Sequence, residues 1–212
     1  MSVLELVAVI CGFLCVLLTI RENIWCWPAG LVQVTLYVFI FFEAKLYSDV
    51  LLHIIYIFMN LYGWYFWLHG GRERQKAKVT GLGLPLFVAS AALSAAGTLA
   101  LGYMMESRTD ASYPYADAFT TAFSLMAQWL MSRKKYESWD FWISVDVVAI
   151  YIYGAKGLYA TALLYVAFLV MAVLGRRKWY HSMRQSEEIR RVEASGADAI
   201  HPGYGLLSES PE

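Results

Sequence analysis

Long apolar stretches separated by short polar segments extend along most of the chain. Seven of them hold 16 to 24 residues with few charges, at 3–20, 25–43, 48–68, 82–105, 115–132, 139–154 and 158–175. Because a helix rises about 1.5 Å per residue, about 20 residues cross a hydrocarbon layer about 30 Å thick. The pattern therefore predicts an all-α integral membrane protein with seven transmembrane helices embedded in a lipid bilayer.

Composition supports this prediction. Of the 212 residues, 59% are hydrophobic and 16% are charged, whereas soluble domains contain about 45–50% and about 25%. A soluble fold of this length has too much surface to bury such an excess. No basic region precedes the first stretch and no cleavage site follows it before "RENIWCWP", so it is not a cleavable signal peptide. The net charge of +0 gives no indication of a nucleic-acid partner.

The Lys and Arg residues fall mainly on one side of the predicted membrane. Fourteen of the 17 follow spans one, three, five and seven, and only Lys45, Arg108 and Lys156 lie in the other set of loops. Cytoplasmic loops carry the excess of basic residues in such proteins. The distribution therefore predicts an N-terminus outside the cell and a C-terminus in the cytoplasm.

The chain also resembles itself at an offset of 112 residues. Residues 18–63 align with 130–175, with ten identities in 46 positions, among them Trp27 with Trp139 and Gly63 with Gly175. Short turns at 44–47 and 157–159 coincide in this alignment. We expect two parallel three-helix repeats, at about 3–68 and 115–175, joined by the span at 82–105 in a 3+1+3 arrangement.

Polar residues within apolar spans are costly and mark functional positions. The candidates on the second, third, fifth and sixth spans are Gln33, Tyr37, Tyr56, Asn60, Trp64, Trp67, Thr121, Ser124, Gln128, Trp142 and Asp146. Counted from the predicted cytoplasmic ends, Asn60 and Gln33 lie about 12 Å deep, and Asp146 about 10 Å. The sequence therefore predicts one polar layer, with a binding site between the two repeats.

Structural roles compete with this prediction at several positions. Asn60 and Gln128 could only bond a neighbouring helix, and Asp49 and Asp117 could cap their helices. Trp67, like the four tryptophans Trp25, Trp27, Trp139 and Trp179, is near a span end, where aromatic belts contact headgroups. His53 and the three cysteines Cys11, Cys15 and Cys26 are expected to pack, without a metal or redox role.

The predicted layer combines aromatic faces, amides and carboxylates without a basic residue. This chemistry suits a flat, neutral or cationic solute, because a cation gains about 0.5–2 kcal/mol over an aromatic ring. It disfavours nucleotides and phosphorylated sugars and favours a nucleoside or a vitamin. The chain lacks HExxH, GxSxG and Walker motifs, so neither an enzyme nor a cofactor or metal site is predicted.

Several long motifs resemble the bacterial nicotinamide riboside transporters of the PnuC family. They are "NIWCWPAGLVQVTLY", "LYSDVLLHIIYIFMNLYGWYFW" and "DAFTTAFSLMAQWLMSRKKYESWDFWISVDVVAIYIY" followed by "GLYATALLY", and the likeness covers about residues 5–180. The resemblance implies a fold related to the SWEET sugar carriers, with 1-3-2 helix order in each repeat and a homotrimer. It also implies that Asn60, Trp64, Gln128, Trp142 and Asp146 contact the substrate.

The family resemblance further implies facilitated diffusion of nicotinamide riboside, made one-way by a cytoplasmic kinase that phosphorylates it for NAD synthesis. Alternatives remain open: a proton-coupled carrier, since His53, Asp49 and Asp146 are titratable, or a carrier of another vitamin, nucleoside or sugar. We expect the transporter domain to span residues 1–180.

Residues 181–212 are expected to form a largely disordered cytoplasmic tail that begins within a basic juxtamembrane helix at 176–191. The final stretch, 196–212, resembles a fragment of the ATP-grasp domain of biotin carboxylases, but it lacks the rest of that domain. Its Gly, Ser and Pro content favours disorder. We therefore expect no nucleotide-binding activity from it.

Overall fold

The computed structural model describes residues 3–45, 47–71, 74–108 and 113–195. These residues contain seven helices: α1 (Val3–Ile20), α2 (Cys26–Glu43), α3 (Tyr47–His69), α4 (Leu84–Arg108), α5 (Pro114–Ser132), α6 (Ser138–Ala155) and α7 (Tyr159–Ser195). Every predicted helix is present, and all boundaries but one agree with the apolar pattern to within three residues. Hydropathy alone is therefore sufficient to locate the helices.

The exception is the end of α7. This helix was expected to end near residue 175, but it continues to Ser195 through the basic segment predicted as a separate juxtamembrane helix. Residues 181–195 are thus helical, which corrects the expectation of disorder for that part of the tail. The segment at 196–212, with its resemblance to biotin carboxylase, lies outside the described residues.

Among the described helices, α1, α2, α3, α4 and α7 are long and apolar enough to cross a membrane. Helices α5 and α6 are not in this group because they carry Asp, Ser, Thr and Gln side chains. They nevertheless contain many of the buried residues of the bundle, including Ser124 and Asp146. The two most polar helices therefore direct part of their polar surface inward.

Six of the described helices, all except α4, pack side by side as a closed ring, and their order around the ring is their order in the chain. Helix α2 packs between α1 and α3, and α6 packs between α5 and α7. Contacts of α3 with α5 and of α1 with α7 join these two groups, here called the first half (α1–α3) and the second half (α5–α7). Helix α4 packs on α5 outside the ring. Short turns keep consecutive helices adjacent. Within each half the second helix therefore lies between the first and the third, so the spatial order is 1-2-3 and the expected 1-3-2 order is wrong.

Four tryptophans form a buried cluster at the basic end, defined as the end of the bundle that carries the loops at 21–25, 70–83 and 133–137. Trp27, Trp67, Trp139 and Trp179 are exposed by only 3%, 3%, 2% and 0%. Their prediction as an aromatic belt is therefore wrong, because the two halves enclose the rings between them. Trp25, which is 65% exposed, is accessible as a belt residue would be.

Contacts of this cluster recur at the 112-residue offset seen in the sequence. The Trp67 indole donates to the Met131 carbonyl at 3.1 Å, and the Trp179 indole donates to the Thr19 carbonyl at 3.0 Å. Trp67 and Trp179 are 112 positions apart, as are Thr19 and Met131. Each half therefore bonds to the other by the same contact, as expected for two bodies related by an approximate two-fold axis.

Packing and turns repeat at the same offset. A Cβ on Gly63 would be 2.1 Å from the Trp27 ring, and a Cβ on Gly175 would be 2.6 Å from the Trp139 ring. The turn residues Glu22 and Lys134 both have φ of 55°, while Lys45 and Gly157 have φ of 58° and 72°. The halves thus share helix packing and turn geometry at both ends of the bundle.

Candidate functional site

A hydrogen bond between α3 and α5 lies at the centre of the predicted polar layer. The hydroxyl groups of Tyr56 and Ser124 are 2.6 Å apart, and Ser124 also contacts the Thr121 carbonyl at 3.0 Å. Ser124 is 7% exposed, so this bond is shielded from the surface. Two residues that the sequence assigned to different spans therefore meet at the junction of the two halves.

Asn60 lies one helical turn from Tyr56 and faces α2. Its side-chain nitrogen donates to the Tyr56 carbonyl at 2.8 Å. Its amide oxygen is 2.7 Å from the position that a Cβ on Gly30 would occupy, and the Cys15 sulfur is 3.1 Å from that position. Only glycine at residue 30 leaves room for this amide, so the backbone of α2 forms one wall of the Asn60 environment.

Gln33 and Tyr37 extend the layer along α2. The Gln33 amide nitrogen is 2.7 Å from the position of a Cβ on Gly12 of α1, so it covers that glycine. Tyr37 stacks on Phe41 with ring centroids 5.5 Å apart, and its ring is tilted by 50° against that of His53 with centroids 5.6 Å apart. Tyr37 therefore belongs to an aromatic group that continues from the layer toward the end opposite the basic end.

His53 completes this aromatic group. Its ring centroid is 4.9 Å from that of Phe41 and 5.7 Å from that of Tyr56. Its Nδ1 atom is 2.9 Å from the Asp49 carbonyl of its own helix. These contacts give His53 the packing role that the sequence analysis favoured.

Asp146 is buried on α6, with 5% of its surface exposed. Helix α7, which packs on α6, carries Tyr165. The Tyr165 ring stacks on Tyr153 with centroids 5.3 Å apart and an angle of 14°. Tyr165 is not among the residues predicted from the sequence, although the 112-residue offset pairs it with His53.

The remaining candidates border the layer. Trp64 and Trp142 are partly buried and pack against the tryptophan cluster, and Gln128 is partly buried one turn beyond Ser124. The Thr121 hydroxyl donates to the Asp117 carbonyl at 3.0 Å. These side chains are arranged on both sides of the interface between the halves.

Trp67 does not join the layer. Its ring packs edge to face on Trp27 with centroids 5.3 Å apart, and the Lys134 ammonium lies 4.6 Å from its centroid. With its indole nitrogen bonded to Met131, this side chain contributes to packing between the halves. Asp117, at the start of α5, lies 3.9 Å from the Lys156 ammonium at the opposite end of the bundle.

The layer differs between the halves at positions that the offset makes equivalent. Gly30 and Asn60 of the first half correspond to Trp142 and Ala172 of the second. The other unlike pairs are Gly12 with Ser124, Gln33 with Val145, Val34 with Asp146, and Tyr56 with Phe168. The packing tryptophans and glycines repeat while the lining does not, so two similar scaffolds enclose an asymmetric set of side chains.

An ion pair joins the halves at the basic end. The Lys134 ammonium lies 3.0 Å from a Glu22 carboxylate oxygen and donates to the Ala77 carbonyl at 2.9 Å. Glu22 and Lys134 are themselves 112 positions apart, so equivalent turns of the two halves supply the two charges. Glu22, Lys134, Trp67 and Trp179 are called the inter-half cluster below, and they hold this end of the interface together.

The described residues contain no group of three His, Cys, Asp or Glu side chains that could hold a metal ion. Two surface clefts, of ≈ 600 and ≈ 620 Å³, are lined by residues other than the predicted site residues. The larger is an apolar groove between α4 and α5, and the smaller lies at the basic end.

Comparison with known proteins gives consistent results. A family model described as "Nicotinamide mononucleotide transporter" matches residues 2–181. The nicotinamide riboside transporter PnuC of Escherichia coli (strain K12) is 29% identical over 210 residues, covering 87% of this chain and 88% of that protein. The riboflavin/roseoflavin transporter RibM of Streptomyces davaonensis is 26% identical over 189 residues, with the same coverage.

A solved structure is also similar. The crystal structure of the vitamin B3 transporter PnuC superposes with a TM-score of 0.69 at 25% sequence identity, covering 86% of this chain and 82% of that one. The relatives in these comparisons are named as transporters, in agreement with the expectation that the chain is not an enzyme.

Proposed function

The chain belongs to the nicotinamide mononucleotide transporter family, and on this premise we propose that it carries nicotinamide riboside across the bacterial cytoplasmic membrane. Relatives that match most of the chain are named as transporters of this riboside. The solute has a cationic pyridinium ring, an amide and a ribose. Aromatic, amide and carboxylate side chains in one layer suit all three groups.

The observation that carries the proposal is that the tryptophan and glycine packing contacts repeat in the two halves, whereas the side chains of the polar layer differ between them. A carrier that opens alternately to each side requires two bodies that can move against each other, and the repeated tryptophan and glycine contacts define such bodies. An asymmetric solute requires different groups on its two sides. The unlike pairs at Gly30 and Trp142, and at Val34 and Asp146, supply them.

Residue roles follow from this arrangement. Trp64 and Trp142 offer aromatic faces for the pyridinium ring, and a cation over such a face gains about 0.5–2 kcal/mol. Asn60 and Gln128 bond the amide or ribose, and Asp146 offsets the positive charge. Gln33, Tyr37, Tyr56, Thr121 and Ser124 complete the lining, whereas Trp67 is assigned to packing.

We further propose a 3+1+3 architecture with seven transmembrane helices. The first and second halves are parallel repeats about an axis along the membrane normal, and α4 links them. The contacts that recur at the 112-residue offset support this arrangement. The polar groups of α5 and α6 face inward, so a lower mean hydropathy is compatible with spanning. The basic end then faces the cytoplasm, with the N-terminus outside.

In the proposed transport cycle, the inter-half cluster closes the cytoplasmic side. Release into the cytoplasm requires that the Glu22–Lys134 pair and the two Trp-to-carbonyl bonds break. Transport is facilitated diffusion, and phosphorylation by a cytoplasmic kinase for NAD synthesis retains the solute. The homotrimer implied by the family resemblance is part of the same proposal, and light scattering of the detergent-solubilised protein tests it.

A flavin is the second candidate solute. One relative that covers 87% of the chain is named as a riboflavin and roseoflavin transporter. A flavin ring is also flat and rich in hydrogen-bonding groups, but it lacks the fixed cation that Asp146 would offset. Competition between the two solutes therefore discriminates between the assignments.

Calorimetric titration of the purified protein tests the proposal. We expect nicotinamide riboside to bind the polar layer more tightly than nicotinamide does, and its 5′-phosphate to compete least for that site, because the lining has no basic side chain for a phosphate. Displacement of bound riboside at lower concentration by riboflavin or by the phosphorylated riboside would contradict the assignment. In vesicles, accumulation of labelled riboside above equilibrium that collapses with an imposed pH gradient would establish proton coupling and exclude facilitated diffusion.

A further inference from the structure

A cleft at the basic end is separate from the polar layer. It has a volume of ≈ 600 Å³. Its lining combines the segment at 74–80 that follows α3, here called the strap, with the ion pair between the halves and the last part of α7. The lining residues that carry the argument are Glu22, Arg74, Lys76, Lys78, Lys134 and Ser182. Clefts of about 300–1,000 Å³ accommodate small molecules.

The charge of the cleft is strongly asymmetric. Four cationic side chains line it against one carboxylate, that of Glu22. That carboxylate is engaged by Lys134 at 3.0 Å. An ammonium group has three donors, and the bonds to Glu22 and to the Ala77 carbonyl use two of them. The Lys134 ammonium also lies 4.6 Å from the Trp67 ring centroid, so the cleft cations outside this set of contacts are Arg74, Lys76 and Lys78.

Backbone hydrogen bonds hold the strap in place. The Ala77 amide donates to the Trp67 carbonyl at 3.0 Å, and the Thr80 amide donates to the Lys134 carbonyl at 3.2 Å. Ala77 and Val79 are 5% and 1% exposed, so the strap is anchored by its apolar side chains as well. Lys78 lies between these anchors and Lys76 directly precedes them, so both cations start from an ordered backbone, which lowers the entropic cost of binding.

On the facing wall, α7 contributes hydroxyl groups. Ser182 and Ser186 line the cleft and are four residues apart, on one face of the helix. Hydroxyls and ammonium groups are the donors that phosphate oxygens accept from in proteins. The positive-inside pattern explains basic residues at this end in general, but it does not explain their grouping with hydroxyls around a cleft.

We propose that this cleft binds a phosphomonoester group, with Lys76 and Lys78 as its main cationic contacts and the Ser182 and Ser186 hydroxyls as donors. The group can belong to a soluble sugar phosphate or to the headgroup of an anionic lipid. This inference does not depend on which solute the polar layer carries.

The test compares two double variants of the full chain. Lys76→Ala with Lys78→Ala removes two cations from the cleft. Arg177→Ala with Lys178→Ala removes two exposed cations from the same end of the bundle that do not line it. Each protein, in an uncharged detergent, is titrated with ribose 5-phosphate and with ribose. In nanodiscs, association is compared between phosphatidylcholine alone and phosphatidylcholine with phosphatidic acid, by counting co-purified lipid.

We expect ribose 5-phosphate to bind and ribose not to bind, with affinity lowered about tenfold or more in the cleft variant only. Enrichment of phosphatidic acid that is lost only in the cleft variant would instead identify a lipid headgroup as the source of the phosphate. The proposal is overturned if neither phosphate binds, or if both double variants lose binding equally. Normal riboside binding by the cleft variant would show that its fold is intact.

Discussion

Trp67 and Trp179, which are equivalent at the 112-residue offset, have ring centroids 5.6 Å apart, and each donates its indole N–H to the main chain of the other half. This reciprocal pair connects the repeat in the sequence to the proposed movement in transport. Both bonds must break together if the halves separate at the basic end. The two residues are therefore expected to behave as one unit.

The first prediction concerns these two indoles. Trp67→Phe and Trp179→Phe keep an aromatic ring but remove the N–H, and each should lower the free energy of unfolding by about 0.5–1.5 kcal/mol. Their effects should be similar because the two indoles make equivalent hydrogen bonds. Thermal unfolding in detergent measures this, with the exposed Trp25→Phe as control. An equally large loss of stability in the Trp25→Phe control would contradict a special role for the Trp67–Trp179 pair.

Breaking the Glu22–Lys134 pair should loosen the basic end. Its side chains are 21% and 9% exposed, so leaving Lys134 without its partner in Glu22→Gln should cost about 1–3 kcal/mol. The buried thiol of Cys26 should then react faster with a maleimide, in a background where Cys11 and Cys15 are replaced by Ala. The charge-exchanged protein, Glu22→Lys with Lys134→Glu, should recover slow labelling. Equal labelling of all variants would contradict a closing role.

The glycines beneath Trp27 and Trp139 offer a test of the packing. Gly63→Ala and Gly175→Ala place a methyl group within the van der Waals radius of an indole ring, which should destabilise the protein by about 1–3 kcal/mol. In Gly154→Ala the new Cβ meets nothing within 4 Å, so helix propensity should make it neutral or slightly stabilising. Equal thermal stability of the three variants would show that the helices within each half do not pack as described.

Asp146 should distinguish charged from neutral solutes. Asp146→Asn removes the buried negative charge while preserving size, and we expect nicotinamide riboside to bind about 10-fold less tightly, a loss of about 1.4 kcal/mol. Binding of the neutral nicotinamide should change little. Calorimetry with both ligands checks the difference. A parallel loss for both ligands would assign Asp146 to structure instead of to the cationic ring.

Asn60 and Gln128 provide the last prediction. Replacing either by Ala should weaken riboside binding by about 1–3 kcal/mol if its bonds to the solute are buried and lost. Thr98→Ala on α4 is a suitable control, since its hydroxyl bonds only to the Ser94 carbonyl within the described structure. Unchanged affinity would make Asn60 a packing residue that bonds to Tyr56 and fills the space above Gly30.

Much of the helical framework was predictable from local patterns, and the apolar stretches located α1 to α6 closely. The end of α7 was missed because hydropathy falls at the basic segment while the helical backbone continues to Ser195. The candidate site residues were selected one by one, as polar positions within apolar spans. Which of them meet could not be predicted, because a contact such as that of Tyr56 with Ser124 joins segments far apart in the chain.

The sequence by itself determined where the helices lie, the 112-residue repeat and the small set of polar side chains within apolar spans, because hydropathy and periodicity depend only on neighbouring residues. Tertiary structure alone decided the 1-2-3 helix order and the burial of Trp27, Trp67, Trp139 and Trp179. It also decided the pairing of Glu22 with Lys134. A tryptophan near a helix end looks the same in sequence whether it contacts lipid or another helix. Only the packing of segments far apart in the chain determines which contact it makes.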